Sequence, residues 1–253
     1  MALFITCEAN KYLPEAKALC ERTGAALLSD PGEAGKEDLV LRFREEGLSL
    51  HCGALSMQGD FRSMLPRVKN GMWRHELLAR AAKFKEPHEN PVAIDATAGM
   101  GEDSLILASA GYEVLMFEYD PVIAALLRDT LRRAEAIPEL KDPVGRMKLL
   151  ETDSITGMKD LTASPAVIYL DPMFPARQKS GLIKKKFQLL QKLERPCSDG
   201  ELLLSAAKNL HPERIIIKRP AKGPYLSGEK PDYSIEGGAI RFDCITRKNV
   251  SYV

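Results

Sequence analysis

Hydrophobic and polar positions change period twice along the chain. An apolar run at 3–7, a helical pattern at 11–22 and alternating runs at 39–43 and 48–52, the last two joined by Glu45-Glu46-Gly47, predict a small α+β unit closed by a hairpin. Between 53 and 71 the pattern breaks at Gly59, Pro66 and Gly71, the composition of a linker. A helical pattern returns over 72–85. After the Pro87 and Pro91 break, apolar β-type runs at 92–97, 113–118, 147–152, 166–170 and 214–218 alternate with amphipathic stretches. That alternation is the pattern of parallel βαβ units. A last run at 239–246 follows the Gly237-Gly238 turn with no helix before it, and is expected to pair antiparallel at or near the sheet edge. The predicted fold is α/β, a doubly wound, mostly parallel Rossmann-like sheet from 71 to 253, preceded by a small N-terminal α+β domain at 1–70.

Composition narrows the function classes. The 253 residues are 45% hydrophobic and 28% charged, which suits a globular protein with a substantial core. A net charge of +1 excludes indiscriminate coating of nucleic acid, which needs a large positive excess, so any RNA contact must come from a local basic patch. The five cysteines form no C-x-x-C pair and the four histidines lie far from them, so no metal site is expected. The segment 1–7 is too short for a signal peptide or a membrane span, and a cytoplasmic location is expected.

The sharpest local signal is Asp95-Ala96-Thr97-Ala98-Gly99-Met100-Gly101-Glu102-Asp103, a strand running into a glycine turn and then into a helix at 104–109. Such a turn lets the backbone approach a ligand at the carboxyl end of the sheet. The third glycine of a dinucleotide fingerprint is replaced by Ser104, and Glu102 and Asp103 would repel a pyrophosphate at the helix start. The same carboxylates suit a ligand carrying positive charge on an amino group and a sulfonium, as S-adenosylmethionine (SAM) does. Glu118 ends the next strand, where a carboxylate can accept hydrogen bonds from both ribose hydroxyls. Asp153 and Ser154 follow the third strand, placed either to accept from an adenine amino group or to cap a helix.

Asp171-Pro172-Met173-Phe174 follows the apolar strand 167–170 directly. It looks like the D/N-P-P-Y/F motif of SAM-dependent methyltransferases that act on base amines, with Met173 in place of the second proline. An exocyclic base amine is a poor nucleophile because its lone pair is delocalised, so it must be held and polarised. The Asp171 carboxylate and the Pro172 carbonyl can accept its two N–H hydrogens while Phe174 stacks on the base. That chemistry serves guanine, adenine and cytosine amines alike.

The longer string from Tyr169 to Pro175, followed by Gln178-Lys179-Ser180 and Lys184-Lys185, resembles the RsmJ family, bacterial guanine-N2 methyltransferases of small-subunit (16S) ribosomal RNA. The likeness continues through Asp95 to Gly99, Gly101, Asp103, Glu118 and Pro121, and again through Lys218-Arg219-Pro220 and Arg241-Phe242-Asp243. The resemblance implies SAM as cofactor, held by Glu102, Asp103, Glu118, Tyr119, Asp153, Ser154 and Asp171, with small-subunit rRNA or the 30S particle as partner. It implies methyl transfer to guanine N2. The alternatives from the residues alone are an adenine or cytosine amino methyltransferase of DNA or another RNA, an NAD(P)-dependent oxidoreductase, and a non-catalytic RNA-binding factor. Arg177, Lys179, Lys184 and Lys185 lie in a stretch free of acidic residues just past the tetrapeptide, and with Lys218 and Arg219 are expected to hold RNA phosphates. Arg62, Arg67, Lys69 and Arg74 form a second candidate phosphate surface.

Overall fold

A computed structural model of the chain describes residues 1–86, 88–162, 164–172, 189, 193 and 199–247. Two sheets organise them. The first contains β1 (Leu3–Cys7), β2 (Ala26–Leu27), β3 (Leu39–Arg44), β4 (Gly47–Cys52) and β5 (Leu55–Met57), in the order β2-β1-β3-β4-β5. Helix α1 (Leu13–Thr23) carries the chain from β1, so that β1 pairs parallel with both β2 and β3. The expected hairpin is present: β3 and β4 pair antiparallel with Arg44 opposite Gly47, and Gly47 takes the positive φ of 119° that the tight turn demands.

The segment read as a linker is packed structure instead. After β5 come a 3-10 turn at Phe61–Met64 and a short helix α2 (Leu65–Val68), and Phe61, Met64 and Val68 are buried in the core of the second sheet. The helix expected over 72–85 is also broken. A 3-10 stretch at Lys69–His75 is interrupted by positive φ at Asn70 (53°) and Gly71 (77°), and only Leu77–Ala82, α3, is α-helical. The αL pair forces a reversal of direction that a continuous helix cannot make. Trp73 packs partly buried against the core, with the Arg74 guanidinium 4.6 Å from its ring centre.

The second sheet has seven strands: β6 (Val92–Asp95), β7 (Glu113–Phe117), β8 (Met147–Leu150), β9 (Val167–Leu170), β10 (Arg214–Pro220), β11 (Tyr233–Glu236) and β12 (Ile240–Thr246). Their order is β11-β12-β10-β9-β6-β7-β8. Pairing is parallel from β10 to β8, and β12 runs antiparallel between β10 and β11. Every residue of β9 is buried, because helices cover both faces of the sheet. One face is packed by α3, by α4 (Glu102–Ser109), by α5 (Pro121–Ala134) and by α6 (Pro138–Gly145). The other is packed by α7 (Ser154–Lys159) and α8 (Gly200–Asn209). The chain is therefore doubly wound as expected, with its switch point between β6 and β9, where the strand order reverses. No described helix is long and apolar enough to cross a membrane.

Helix α5 joins the two sheets. Asp120 caps it by accepting from the N–H groups of Val122 (2.9 Å) and Ile123 (3.0 Å), with Pro121 at the first position. Leu127 and Leu131 face the seven-stranded core, whereas Val122, Ile123 and Leu126 pack with Ile5, Leu41 and Leu50 of the smaller sheet. Asp129 pins the hairpin to the helix. It accepts from the Leu48 N–H (2.9 Å) and from Arg133 Nε (2.8 Å), while Arg133 also donates to the Gly59 carbonyl. Asp129→Ala strands a buried N–H and frees a guanidinium, so it is expected to lower the unfolding free energy by about 2 kcal/mol, read as a lower urea midpoint.

Candidate active site

The carboxyl ends of β6 and β9 meet at the switch point, and the glycine turn after β6 is built from its own backbone. Asp95 is 1% exposed; it accepts from Thr97 N–H (3.0 Å) through Oδ1 and from the Ser104 hydroxyl (2.5 Å) through Oδ2. Burial pushes the Asp95 carboxyl up to about 7, against the pull of those two hydrogen bonds. Ser104 thus spends its hydroxyl on the strand end, at the position where a dinucleotide fingerprint needs bare glycine. Gly101 takes a φ of 75°, and a Cβ there would lie 2.7 Å from Leu127 Cδ1, so the turn is closed by close packing on α5. A Cβ at Gly99, φ 52°, would meet nothing within 4 Å: this part of the turn faces open space.

Glu118, 8% exposed, holds the turn from the side. Its Oε2 accepts from Gly99 N–H (3.0 Å) and its Oε1 from Asp120 N–H (2.8 Å). Helix α4 begins at Glu102 rather than at 104, because Gly101 completes the turn and two carboxylates are favourable at the positive end of a helix. Tyr119 is exposed, and Asp153 caps α7 by accepting from Thr156 N–H (2.8 Å), with Ser154 opening that helix. These three lie further along the same rim and do not line the cavity described next.

A cavity of about 310 Å³ opens at the switch point, floored by the glycine turn and by Tyr169 and Asp171. Its walls come from Glu102 and Asp103 of α4, Lys218 of β10, Phe242 of β12, Arg67 of the segment read as a linker, and Glu76 just before α3. Asp171 is anchored at both ends: its N–H donates to Thr97 Oγ1 (2.7 Å), and its Oδ2 accepts from Lys218 Nζ (2.9 Å). Lys218 also donates to Asp103 Oδ2 (2.8 Å), which receives the Tyr169 hydroxyl as well (2.6 Å). Burial raises the Asp171 carboxyl above the ordinary aspartate range even though Lys218 pulls it down. Burial works to lower the Lys218 ammonium, but Asp103 and Asp171 together hold it well above its ordinary value. Arg67 and Glu76 are joined by two bonds, Nε to Oε1 (2.8 Å) and Nη2 to Oε2 (2.7 Å).

Among the expected site residues, Asp95, Gly99, Glu102, Asp103 and Asp171 therefore come together around one cavity, with Gly101 and Glu118 shaping its floor and Pro172 buried behind Asp171. Phe174, Arg177, Lys179, Lys184 and Lys185 lie outside the described residues. Two of the residues expected to hold phosphates are engaged within the fold. Lys218 is paired with two cavity carboxylates rather than offered to a phosphate, and Arg219 is 1% exposed and donates to the Pro224 carbonyl (2.7 Å). Strand period explains the split. Lys218 shares the face of Ile216 and Tyr169, whereas Arg219 points with Ile217 to the opposite face. Thr97, Tyr169 and Glu76 were not anticipated as site residues, and Arg67, expected on a separate phosphate surface, lines the cavity instead. Tyr169 carried a signal, a lone hydroxyl in an otherwise aliphatic strand; Thr97 and Glu76 carried none.

The arrangement fits SAM. Among the described residues the cavity presents Glu76, Glu102, Asp103 and Asp171, with Asp95 buried beneath them, against Lys218 and Arg67, which suits a cationic ligand, and the open side of Gly99 admits a close approach to backbone. The SAM-dependent methyltransferase family model matches residues 31–247. A ribosomal RNA small subunit methyltransferase J from Nitrosococcus oceani is 38% identical over 245 residues, covering 94% of this chain and 96% of its own. Its counterpart from Stutzerimonas stutzeri is also 38% identical, over 89% and 90%. This chain belongs to that methyltransferase J family. A crystal structure of a SAM-dependent methyltransferase from Neisseria gonorrhoeae superposes with a TM-score of 0.75 at 28% identity, over 97% of this chain and 96% of that one. Family membership makes the chain a SAM-dependent methyltransferase.

Proposed function

We propose that the protein transfers the methyl group of SAM to the exocyclic N2 amine of a guanine in small-subunit (16S) ribosomal RNA. The observation that carries this reading is Asp171, anchored by Thr97 and Lys218 at the switch point beside the glycine turn. When bound, SAM supplies an electrophilic methyl group on a sulfonium centre. Glu102, Asp103 and Glu118 are assigned to hold it, with Tyr119, Asp153 and Ser154 along the adenosine side of the rim. The protein's own task is to present the amine. Asp171 accepts one N–H of N2 through Oδ1, the Pro172 carbonyl accepts the other, and Phe174 stacks on the base. With both hydrogens held, the nitrogen lone pair is directed at the methyl group, and Asp171 stands ready for the proton that N2 sheds as its bond to carbon forms.

The RNA partner, as free 16S rRNA or within the 30S particle, is held through Arg177, Lys179, Lys184 and Lys185 in this reading. The small N-terminal unit, 1–70, guides it, a role supported by Arg67 reaching the cavity wall. Replacing Lys184 and Lys185 together with alanine is expected to raise KM for rRNA and to reduce the salt dependence of binding by about one to two phosphate contacts, with kcat unchanged. Kinetics at 50 and 200 mM salt check this. Transfer of labelled methyl from SAM to rRNA and to 30S particles lacking the modification, followed by nucleoside chromatography, tests the function itself. Label in N2-methylguanosine is expected, whereas label in methyladenosine or methylcytosine would replace guanine with the other base amines.

A further inference from the structure

Lys218 stands out among the charged groups of the cavity because the sequence pattern offers it to RNA while the fold turns it inward. In the parallel register Ile217 lies beside Leu170, so the next residues, Lys218 within β10 and Asp171 just past the end of β9, stand side by side. The ammonium then reaches across to Asp103 in the first turn of α4, tying β9, β10 and α4 at one point. Both carboxylates meet it at hydrogen-bond distance, 2.8 and 2.9 Å, and its side chain is 25% exposed.

We propose that Lys218 is a positioning residue for methyl transfer: it fixes the Asp171 carboxylate through Oδ2 and so aims Oδ1 at the acceptor amine. The inference rests on Asp171 being the amine acceptor. A carboxylate at the end of a buried strand, with acids around it, has two ways to fail: it can rotate away, or it can take up a proton and become a donor. The groups facing Asp171 make the second failure real. Asp95 comes from β6, Asp103 and Glu102 from α4, and Tyr169 from its own strand, while Arg67 is already engaged by Glu76 and Arg219 acts from the far face. Lys218 is the cation that contacts Asp171 directly among the described residues. Its second bond, to Asp103, keeps the ammonium from swinging out to solvent.

The test is a pH titration of 13C-labelled aspartate carboxyls, with Asp171→Asn identifying the Asp171 resonance, beside kcat profiles. Lys218→Met is expected to move the Asp171 midpoint to higher pH and to carry the acid limb of kcat with it, lowering kcat by roughly 10- to 100-fold near neutrality. Its KM for rRNA and Kd for SAM are expected to stay within about threefold of wild type. Lys218→Arg, which keeps the charge, should restore the wild-type midpoint and limb. Should Lys218→Met fail to fold by circular dichroism, Asp103→Asn carries the test: losing the neighbouring acid leaves Lys218 to Asp171 alone and should lower the midpoint. An Asp171 midpoint that is unchanged or lower in Lys218→Met, or unchanged or higher in Asp103→Asn, overturns the inference. The carboxyl titration reads this even if no methyl reaches rRNA, an outcome that would count against the proposed reaction instead.

Discussion

Asp171→Ala is expected to lower kcat for methyl transfer by about 10³-fold, in the range found when a group that stabilises only the reacting geometry is removed. In the proposed reaction the variant loses the acceptor that holds the amine, and the Lys218 ammonium loses one of its two partners. Its Kd for SAM should change by less than about tenfold, because Glu118 and the glycine turn remain as they are. Asp171→Asn keeps a carbonyl acceptor of nearly the same shape and should retain more activity than alanine. A kcat in Asp171→Ala equal to wild type, with SAM still bound, would remove Asp171 from the chemistry. The wild-type profile carries a related expectation. The carboxylate must be ionised to accept, and burial raises its pKa above the ordinary aspartate value, so kcat should rise with pH through a limb above that value.

Glu118→Ala should act on the other half of the reaction. In the proposed site one carboxylate accepts from two ribose hydroxyls, and at about 1.5 kcal/mol or more each their loss puts the fall in SAM affinity near 100-fold or beyond. The same carboxylate accepts from Gly99 and Asp120, so its removal also loosens the turn that floors the cavity. At saturating SAM the kcat should return to within a few-fold of wild type, the opposite split from Asp171→Ala. Isothermal titration with SAM and with S-adenosylhomocysteine reads the effect, and an unchanged Kd would place the ribose elsewhere.

The doubly wound sheet was readable because strands buried on both faces leave unbroken apolar runs, and β9 is the clearest of them. The hairpin was readable from its turn. Short β11 was not: its four residues are half-exposed and exposed, so no apolar run marks it, and it owes its place to pairing with β12. The stretch from 53 to 76 failed for a related reason. Its 3-10 turns have no period-3.6 pattern, yet Phe61, Met64 and Val68 are held by partners in the core of the larger sheet. At the site, the glycine turn, Glu118 and Asp171 could be named because each ends a strand, and strand ends are visible in the pattern. The pairing of Lys218 was not legible because its partners, Asp103 and Asp171, are 115 and 47 residues away in sequence, beyond any local spacing. Arg67 and Glu76 were invisible as a pair until the chain reversal at Asn70 and Gly71 brought them together.

The central claim is that the carboxylate at the end of β9 directs methylation of a guanine amine in small-subunit rRNA. Its most direct test is mass spectrometry of nucleosides from the 16S rRNA of a bacterial strain that lacks its own methyltransferase J and carries either the wild-type chain or Asp171→Ala at equal expression. N2-methylguanosine restored by the wild type and not by Asp171→Ala is the expected result. Equal restoration by both, or a wild-type signal in methyladenosine or methylcytosine with no gain in N2-methylguanosine, would contradict it.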